Sequence, residues 1–238
     1  MLQIEYNFIE VIIGLLISYI IPSQLPIMAQ INLLEEKKGI FAIKKITKRN
    51  AGIILFVGCI QWLMMIIILE SYQPNYNSAL HYVSTLGVGT TSIIYNISIL
   101  LFGLSVVICS TILYYSHEMK LFTLFLFLSG VFVIGVGLFP ENVRPIHGYV
   151  TPLAFIFGTA TAMISYKVLK PPLSYISLII GLIVLVVLIV FFPYFGLPAE
   201  STTSFLGLEK GTMERMVIYP LMFWMMSLGI YQIVNDRP

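Results

Sequence analysis

Long, uninterrupted apolar stretches constrain this chain more than any other feature of its sequence. Each approaches or exceeds the roughly 20 residues that an α-helix needs to cross a bilayer, whereas a transmembrane barrel would show alternating segments of about ten residues. Charged residues make up only 10% of the chain, against roughly a quarter in soluble domains. The sequence therefore predicts an all-α integral membrane protein, folded as a single bundle. The six predicted spans are 51–71, 91–115, 121–139, 149–168, 173–196 and 217–234.

The N-terminal segment 8–34 is apolar but interrupted. It begins with FIEVIIGLLISYII, is broken by Pro22 and Pro26, and continues to Leu34. We expect it to form a seventh spanning helix with a kink; the alternative is a re-entrant or interfacial piece. The chain then divides into 1–50, with this segment and a basic loop, and 51–238, with the six-helix domain.

The distribution of Lys and Arg predicts the orientation of the bundle. The loop 35–50 holds six of the thirteen basic residues, and cytoplasmic loops carry an excess of such residues. Counting spans from there puts ten basic residues inside and leaves three outside, namely Arg144, Lys210 and Arg215. We therefore expect a multi-pass protein of the plasma membrane, with loop 35–50 in the cytoplasm.

Three longer, chemically varied loops are then predicted on the extracytoplasmic side, at 72–90, 140–148 and 197–216. The loop 140–148 is notable because it places an acid, a base and an imidazole between two apolar spans. Glu141 and Arg144 have the spacing of a local ion pair, which would contribute only about 0–1 kcal/mol if exposed. The loop is either a simple connection between two membrane helices or one wall of a polar site.

Parts of these loops resemble a family of uncharacterised archaeal and bacterial membrane proteins, domain of unknown function 998. The similar stretches are YQPNYNSALHYVSTLGVGTTSIIYNISILLFG, GVGLFPENVRPIHGYVTPLAFIFG and GTMERMVIYPLMFW. They occur in the family's order within about 51–234. The resemblance implies a multi-helix membrane fold and supplies no activity. It singles out Ser84, Gly87, Asn96, Gly137, Phe139, Pro140, Glu141, His147, Glu214 and Arg215.

The chain departs from that family pattern in two places. The acid that commonly follows the serine is Thr85 here, so a mechanism needing that acid is in doubt. Residues 1–50 lie outside the resemblance.

The candidate catalytic residues are Ser84, His147 and Glu141, as nucleophile, base and orienting carboxylate. We expect Glu141 and Arg215 to be partly desolvated, and so to pair with each other, with His147 or with a ligand. The candidate ligand-binding residues are Asn96, Glu214, Arg215 and His81. No spacing typical of a metal site links the acids and histidines, so no metal is predicted. Whether the protein uses a cofactor is unknown from the sequence.

Three classes of function stay open from the sequence. The first is a membrane protein whose outward-facing polar site binds or modifies a lipid or another small molecule. The second is a non-catalytic subunit or scaffold, whose polar loops would be fully paired and leave no cavity. The third is a transporter, although the predicted six spans contain almost no ionisable groups of the kind that transport uses. The bilayer is the expected partner; a net charge of +2 gives no indication of nucleic acid, and the oligomeric state is not indicated.

Overall fold

The computed structural model of the protein describes residues 47–116, 118–197, 201 and 203–235. Within these ranges six helices are long and apolar enough to cross a membrane. The predicted six-span helical bundle is therefore confirmed. The expected seventh helix at 8–34 and nearly all of the basic loop 35–50 lie outside the described residues.

Long helices alternate with short connections along the chain. The helices are α1 Lys48–Tyr72, α2 Ser92–Tyr115, α3 Lys120–Leu138, α4 Ile146–Ile164, α5 Leu173–Phe191 and α6 Lys210–Asn235. Short 3-10 segments at Val83–Gly87 and Gly89–Thr91 precede α2, and others extend α4 and α5. A small antiparallel hairpin, β1 Ser204–Phe205 and β2 Leu208–Glu209, leads into α6.

Neighbouring helices in sequence pack against each other, and α6 returns to pack against α1. Glycines allow the closest crossings. A side chain at Gly103 of α2 would come within 2.8 Å of the Ile134 backbone nitrogen and 3.1 Å of the Gly130 carbonyl oxygen on α3. Similarly, Gly52 of α1 faces Gly229 of α6. Small residues at helix contacts are how membrane helices gain close packing without a hydrophobic driving force between them.

The surface of the helical region is apolar in the way a lipid-facing surface must be. Along α1, Ile53, Val57, Ile60, Met64 and Ile67 are exposed, while other residues such as Leu55, Cys59 and Ile66 are buried on the opposite side. Large aliphatic side chains facing outward on a helix with a packed inner face are stable in lipid and unfavourable in water.

Helices α4 and α6 begin earlier than hydropathy predicts. The spans expected at 149 and 217 begin as helices at Ile146 and Lys210. The residues added at their N-terminal ends include His147, Glu214 and Arg215, which are all buried. These polar side chains find partners within the protein, so the helices start where their sequence is still polar.

Candidate functional site

The loops 73–91 and 139–145 meet residues 192–197, the first part of the third loop, at one end of the bundle. The Tyr82 hydroxyl donates to the Tyr194 carbonyl, and Arg144 Nη1 donates to the Gly196 carbonyl at 2.8 Å. At the opposite end, Lys48 at the start of α1 pairs with Glu118 between α2 and α3. We call the end where the three loops meet the loop end.

A cavity of about 300 Å³ opens at the loop end. It brings together four of the predicted site residues, although they come from three separate segments of the chain. Aromatic side chains and the first turn of α4 complete its walls. The lining residues are Tyr82, Ser84, Glu141, Arg144, Pro145, His147, Gly148, Tyr149, Thr151, Phe191, Phe195, Gly196 and Glu214.

Glu141 connects two of the loops. Its Oε2 accepts hydrogen bonds from Thr85 Oγ1 at 2.7 Å and Ser84 Oγ at 3.4 Å. Its Oε1 lies 3.6 Å from Arg144 Nη2, so the local pair expected from the three-residue spacing is present. Arg144 is half exposed in its side chain while Glu141 is 13% exposed. The arginine therefore sits at the rim of the cavity and the carboxylate inside it.

His147 is held in a defined orientation at the start of α4. Its Nδ1 lies 2.8 Å from the Phe139 carbonyl oxygen, which can only accept, so Nδ1 carries a proton. In the neutral ring Nε2 is then an acceptor, and Thr151 Oγ1, at 3.2 Å, donates to it. The side chain lines the cavity with both nitrogens already engaged.

Ser84 does not use His147 as a hydrogen-bond partner. Across the described part of the chain, the Ser84 hydroxyl bonds to Glu141 and His147 bonds to Phe139 and Thr151. The two residues line one cavity without forming the nucleophile–base contact that nucleophilic catalysis requires. The catalytic assignment of Ser84, His147 and Glu141 stays a prediction.

Glu214 lines the cavity from the second turn of α6. It is 4% exposed, and its Oε2 accepts a hydrogen bond from the Val83 backbone N–H. The preceding turn is held against the loop by Gly211, where a side chain would meet the carbonyl oxygens of Ala79 and Ser78 at 2.7 Å each. Close backbone packing therefore fixes Glu214 below the 3-10 segment Val83–Gly87.

Arg215 is the next residue, yet it is absent from the lining of the cavity. Its Nε and Nη2 donate to Glu70 Oε1 at 3.2 and 2.6 Å, and Nη2 also donates to the Tyr76 hydroxyl at 2.5 Å. Its Nη1 donates to three backbone carbonyls, those of Ser78, His81 and Gly211. The partner of Arg215 is thus Glu70 at the end of α1, whereas sequence reasoning offered Glu141, His147 or a ligand.

A narrower apolar slot of about 60 Å³ lies among α1, α2, α3, α4 and α6. Ser84, Thr151 and Glu214 line both the slot and the cavity, so the two spaces adjoin at these residues. The remaining lining residues are Trp62, Tyr95, Ile99, Phe102, Ser129, Val133, Val136, Ala154, Phe155, Gly158, Ile218, Leu221, Met222 and Met225.

One polar group in the wall of the slot has no protein partner. The Trp62 side chain is 5% exposed and stacks on Phe102 with ring centroids 4.9 Å apart. Its indole nitrogen is buried and makes no hydrogen bond to the described residues. Buried polar groups are normally satisfied, so this N–H is a place where a bound molecule could supply an acceptor.

The family model named Protein of unknown function (DUF998) matches residues 56–231. This chain belongs to the DUF998 family. The resemblance seen in the three loop stretches is therefore confirmed. No curated protein and no solved structure matches the chain. All residues that line the cavity fall within the part matched to DUF998.

Two further predicted ligand-binding residues of this DUF998 protein, besides Arg215, line neither space. His81 Nδ1 accepts a hydrogen bond from the Asn77 N–H at 2.9 Å, and its ring stacks on Tyr76. Asn96 Nδ2 donates to the Gly87 carbonyl at 3.1 Å, and its Oδ1 is buried. Both side chains brace the loop that leads into α2. Neither lines the cavity or the slot.

Sequence reasoning missed Glu70 and the two tyrosines of the loop. Tyr76 and Tyr82 lie outside the membrane spans, and burial raises the pKa of each phenol above its ordinary value. Both stay protonated near neutral pH; Tyr76 donates to the Tyr82 carbonyl at 2.9 Å. Glu70 could have been found in the sequence because it is an acid at the end of an otherwise apolar span, and such residues usually have a partner.

No group of three His, Cys, Asp or Glu side chains suited to a metal ion occurs within the described ranges. Cys59 and Cys109 are both free and buried. The polar side chains that line the cavity are carboxylates, hydroxyls, one imidazole and one guanidinium.

Proposed function

We propose that this DUF998 protein binds an amphipathic molecule taken from the membrane. Its polar group would occupy the cavity at the loop end and its apolar chain would enter the slot. The observation that carries the proposal is that Ser84, Thr151 and Glu214 line both spaces. A ligand placed across them would keep its polar group against hydrogen-bonding side chains and its chain against apolar ones.

Binding is a better match to this geometry than the alternatives. A scaffold with fully paired loops predicts no cavity, whereas about 300 Å³ is open here. Catalysis by Ser84 would need a base close to its hydroxyl. Glu141 is 3.4 Å from that hydroxyl, which is a long hydrogen bond, and His147 bonds to the Phe139 carbonyl instead. We also propose, from the Lys and Arg distribution, that the loop end faces the outside of the plasma membrane.

Trp62 provides a direct test because it lines the slot. An alkyl alcohol with bromine at the far end of its chain should quench Trp62 fluorescence in the purified full chain when the bromine enters the slot. Trp224 is fully buried and does not line it, so part of the emission should persist at saturation.

The blocking variant is Gly148→Phe. A side chain at Gly148 has open space around its first carbon, with nothing within 4 Å, so phenylalanine should extend into the cavity without displacing protein atoms. The matched control is Ile156→Phe on the same helix, at an exposed position outside both spaces. Saturable quenching that Gly148→Phe abolishes and Ile156→Phe preserves supports the proposal. Quenching that is non-saturable and equal in all three proteins would overturn it.

A further inference from the structure

We infer that the polar group recognised at the loop end is a cation, namely the protonated amine of an amphiphile with a single alkyl chain. This inference rests on the proposed function and specifies the class of ligand. It follows from three features: a buried carboxylate that belongs to none of the ion pairs of the described residues, aromatic side chains that line the cavity, and a slot of small volume.

The buried carboxylate is Glu214. It is 4% exposed, and the backbone N–H groups of Val83 and Ser84, which carry no formal charge, donate hydrogen bonds to it. In the described residues the ion pairs are Lys48 with Glu118, Arg144 with Glu141, and Arg215 with Glu70. None of them includes Glu214. A carboxylate taken out of water is costly unless a counter-charge or a proton compensates it, and a ligand amine supplies that charge.

The balance of charge in the cavity points the same way. Two carboxylates, Glu141 and Glu214, line it, together with one guanidinium, Arg144. The arginine is at the rim, where it already contacts Glu141 and the Gly196 carbonyl. An anionic head group entering the cavity would meet two carboxylates and, among the lining residues, one guanidinium that already contacts Glu141. An ammonium group would meet an acceptor and an opposite charge.

Aromatic residues form part of the cavity wall. Tyr149, Phe191 and Phe195 line the cavity, and the faces of such rings attract cations within about 6 Å. The fold already uses this contact twice nearby, with Lys210 Nζ 5.7 Å from the Tyr82 ring centroid and Arg215 at the same distance from the Tyr76 ring. Aromatic walls beside a buried carboxylate are a favourable setting for an ammonium group.

The slot limits the number of chains. Its volume of about 60 Å³ corresponds to roughly four to six water-sized groups, at about 10–15 Å³ each. That is room for the first part of one alkyl chain and too little for two chains side by side. The inferred ligand is therefore a single-chain amine and not a two-chain phospholipid seated by both chains.

The experiment compares three ω-brominated alkyl chains of equal length that carry a primary amine, a hydroxyl or a carboxylate. Each is titrated into the purified full chain, and Trp62 quenching gives its apparent affinity. We expect the amine to bind about ten-fold or more tightly than the carboxylate, with the alcohol between them, because the charge-assisted contact to Glu214 is available only to the amine.

The decisive variant is Glu214→Gln, which keeps the shape and removes the charge. It should lower the amine affinity about ten-fold and leave the alcohol affinity within about two-fold. Glu118→Gln, which makes the same change at the opposite end of the bundle, should alter neither. If Glu214→Gln does not fold, Glu141→Gln tests the same cavity and should reduce the amine preference as well.

Equal or tighter binding of the carboxylate would overturn the inference, as would an amine preference unchanged in both glutamine variants. Saturable quenching by the alcohol would in that case still support the proposed function. If none of the three chains quenches the wild type more than it quenches Gly148→Phe, the proposed function itself is refuted. Failure of the amine inference is thus distinguishable from failure of the binding proposal.

Discussion

Replacing Arg215 should destabilise the protein far more than replacing the other arginine at the loop end. Arg215 joins α6 to α1 through Glu70 and holds three loop and helix carbonyls as well. Its side chain is 10% exposed and that of Glu70 is 24% exposed. Arg215→Met would leave the Glu70 carboxylate without its counter-charge and would remove the guanidinium donor from three backbone carbonyls.

The magnitude follows from this burial. Removing one partner of a buried ion pair costs about 3–5 kcal/mol, mainly because the other charge is left uncompensated. For a chain of this size, each kcal/mol lowers the melting temperature by roughly 2–4 °C. We therefore expect Arg215→Met to lower it by about 6–20 °C. Arg144→Met breaks a contact at 3.6 Å in which the arginine is half exposed. Such a pair contributes about 0–1 kcal/mol, so this variant should lower the melting temperature by about 4 °C at most.

The two buried cysteines supply the assay. Cys59 and Cys109 are free and have no exposed surface, so a thiol-reactive fluorophore should label them only as the bundle opens. Melting curves of the wild type, Arg215→Met and Arg144→Met in detergent then give the comparison. Equal losses in the two variants, or a loss of under about 1 kcal/mol for Arg215→Met, would refute the assignment of Arg215 to the structural pair.

Two further predictions concern orientation and packing. A cysteine at Val143, which is exposed in the 139–145 loop, should react with an impermeant thiol reagent on intact cells that lack Cys59 and Cys109; labelling only after lysis would reverse the topology. Gly211→Ala should lower the melting temperature by several degrees, since its new carbon would lie 2.7 Å from two loop carbonyl oxygens, whereas Gly148→Ala has open space and should change it little; equal melting temperatures would contradict the packing account.

Sequence alone could predict the spans because membrane-crossing helices leave a long, one-dimensional signal. It placed the beginning of α6 at 217, while the helix begins at Lys210. Hydropathy counts Glu214 and Arg215 as polar, so the predicted span begins only after them. Whether such residues start a helix depends on partners such as Val83 and Glu70, which are far away in sequence. That information exists only after the helices have packed.

For the candidate site, the sequence could predict which residues lie at the same end of the bundle. Counting spans put Ser84, Glu141, His147 and Glu214 at one end of the bundle, and a single cavity there is lined by all four. Counting spans does not predict the direction in which each side chain faces. Arg215 and Glu70 are 145 residues apart, and their pairing requires α6 to return to α1. No local spacing carries that information.

The neighbours Glu214 and Arg215 show why a shared motif need not be a shared site. Successive residues on a helix point about 100° apart, so GTMER sends one side chain into the cavity and the next towards α1. The sequence-based hypothesis of one pocket predicts strong coupling between Glu141 and Arg215 substitutions. In the structure these two side chains have no hydrogen-bond partner in common.

Stability measurements should therefore find the coupling elsewhere. Glu141→Gln combined with Arg215→Met should be additive within about 0.5 kcal/mol, whereas Glu70→Gln combined with Arg215→Met should cost less than the summed single losses by about 0.5–3 kcal/mol. The reason is that Glu70 and Arg215 compensate each other's buried charge, so removing the second partner relieves the penalty left by removing the first. Thermal melting of the five variants in detergent measures both cycles. Strong coupling in the Glu141 cycle, with additivity in the Glu70 cycle, would contradict this account. It would indicate that Arg215 acts in the cavity together with Glu141, and that Glu214 and Arg215 do not have separate roles.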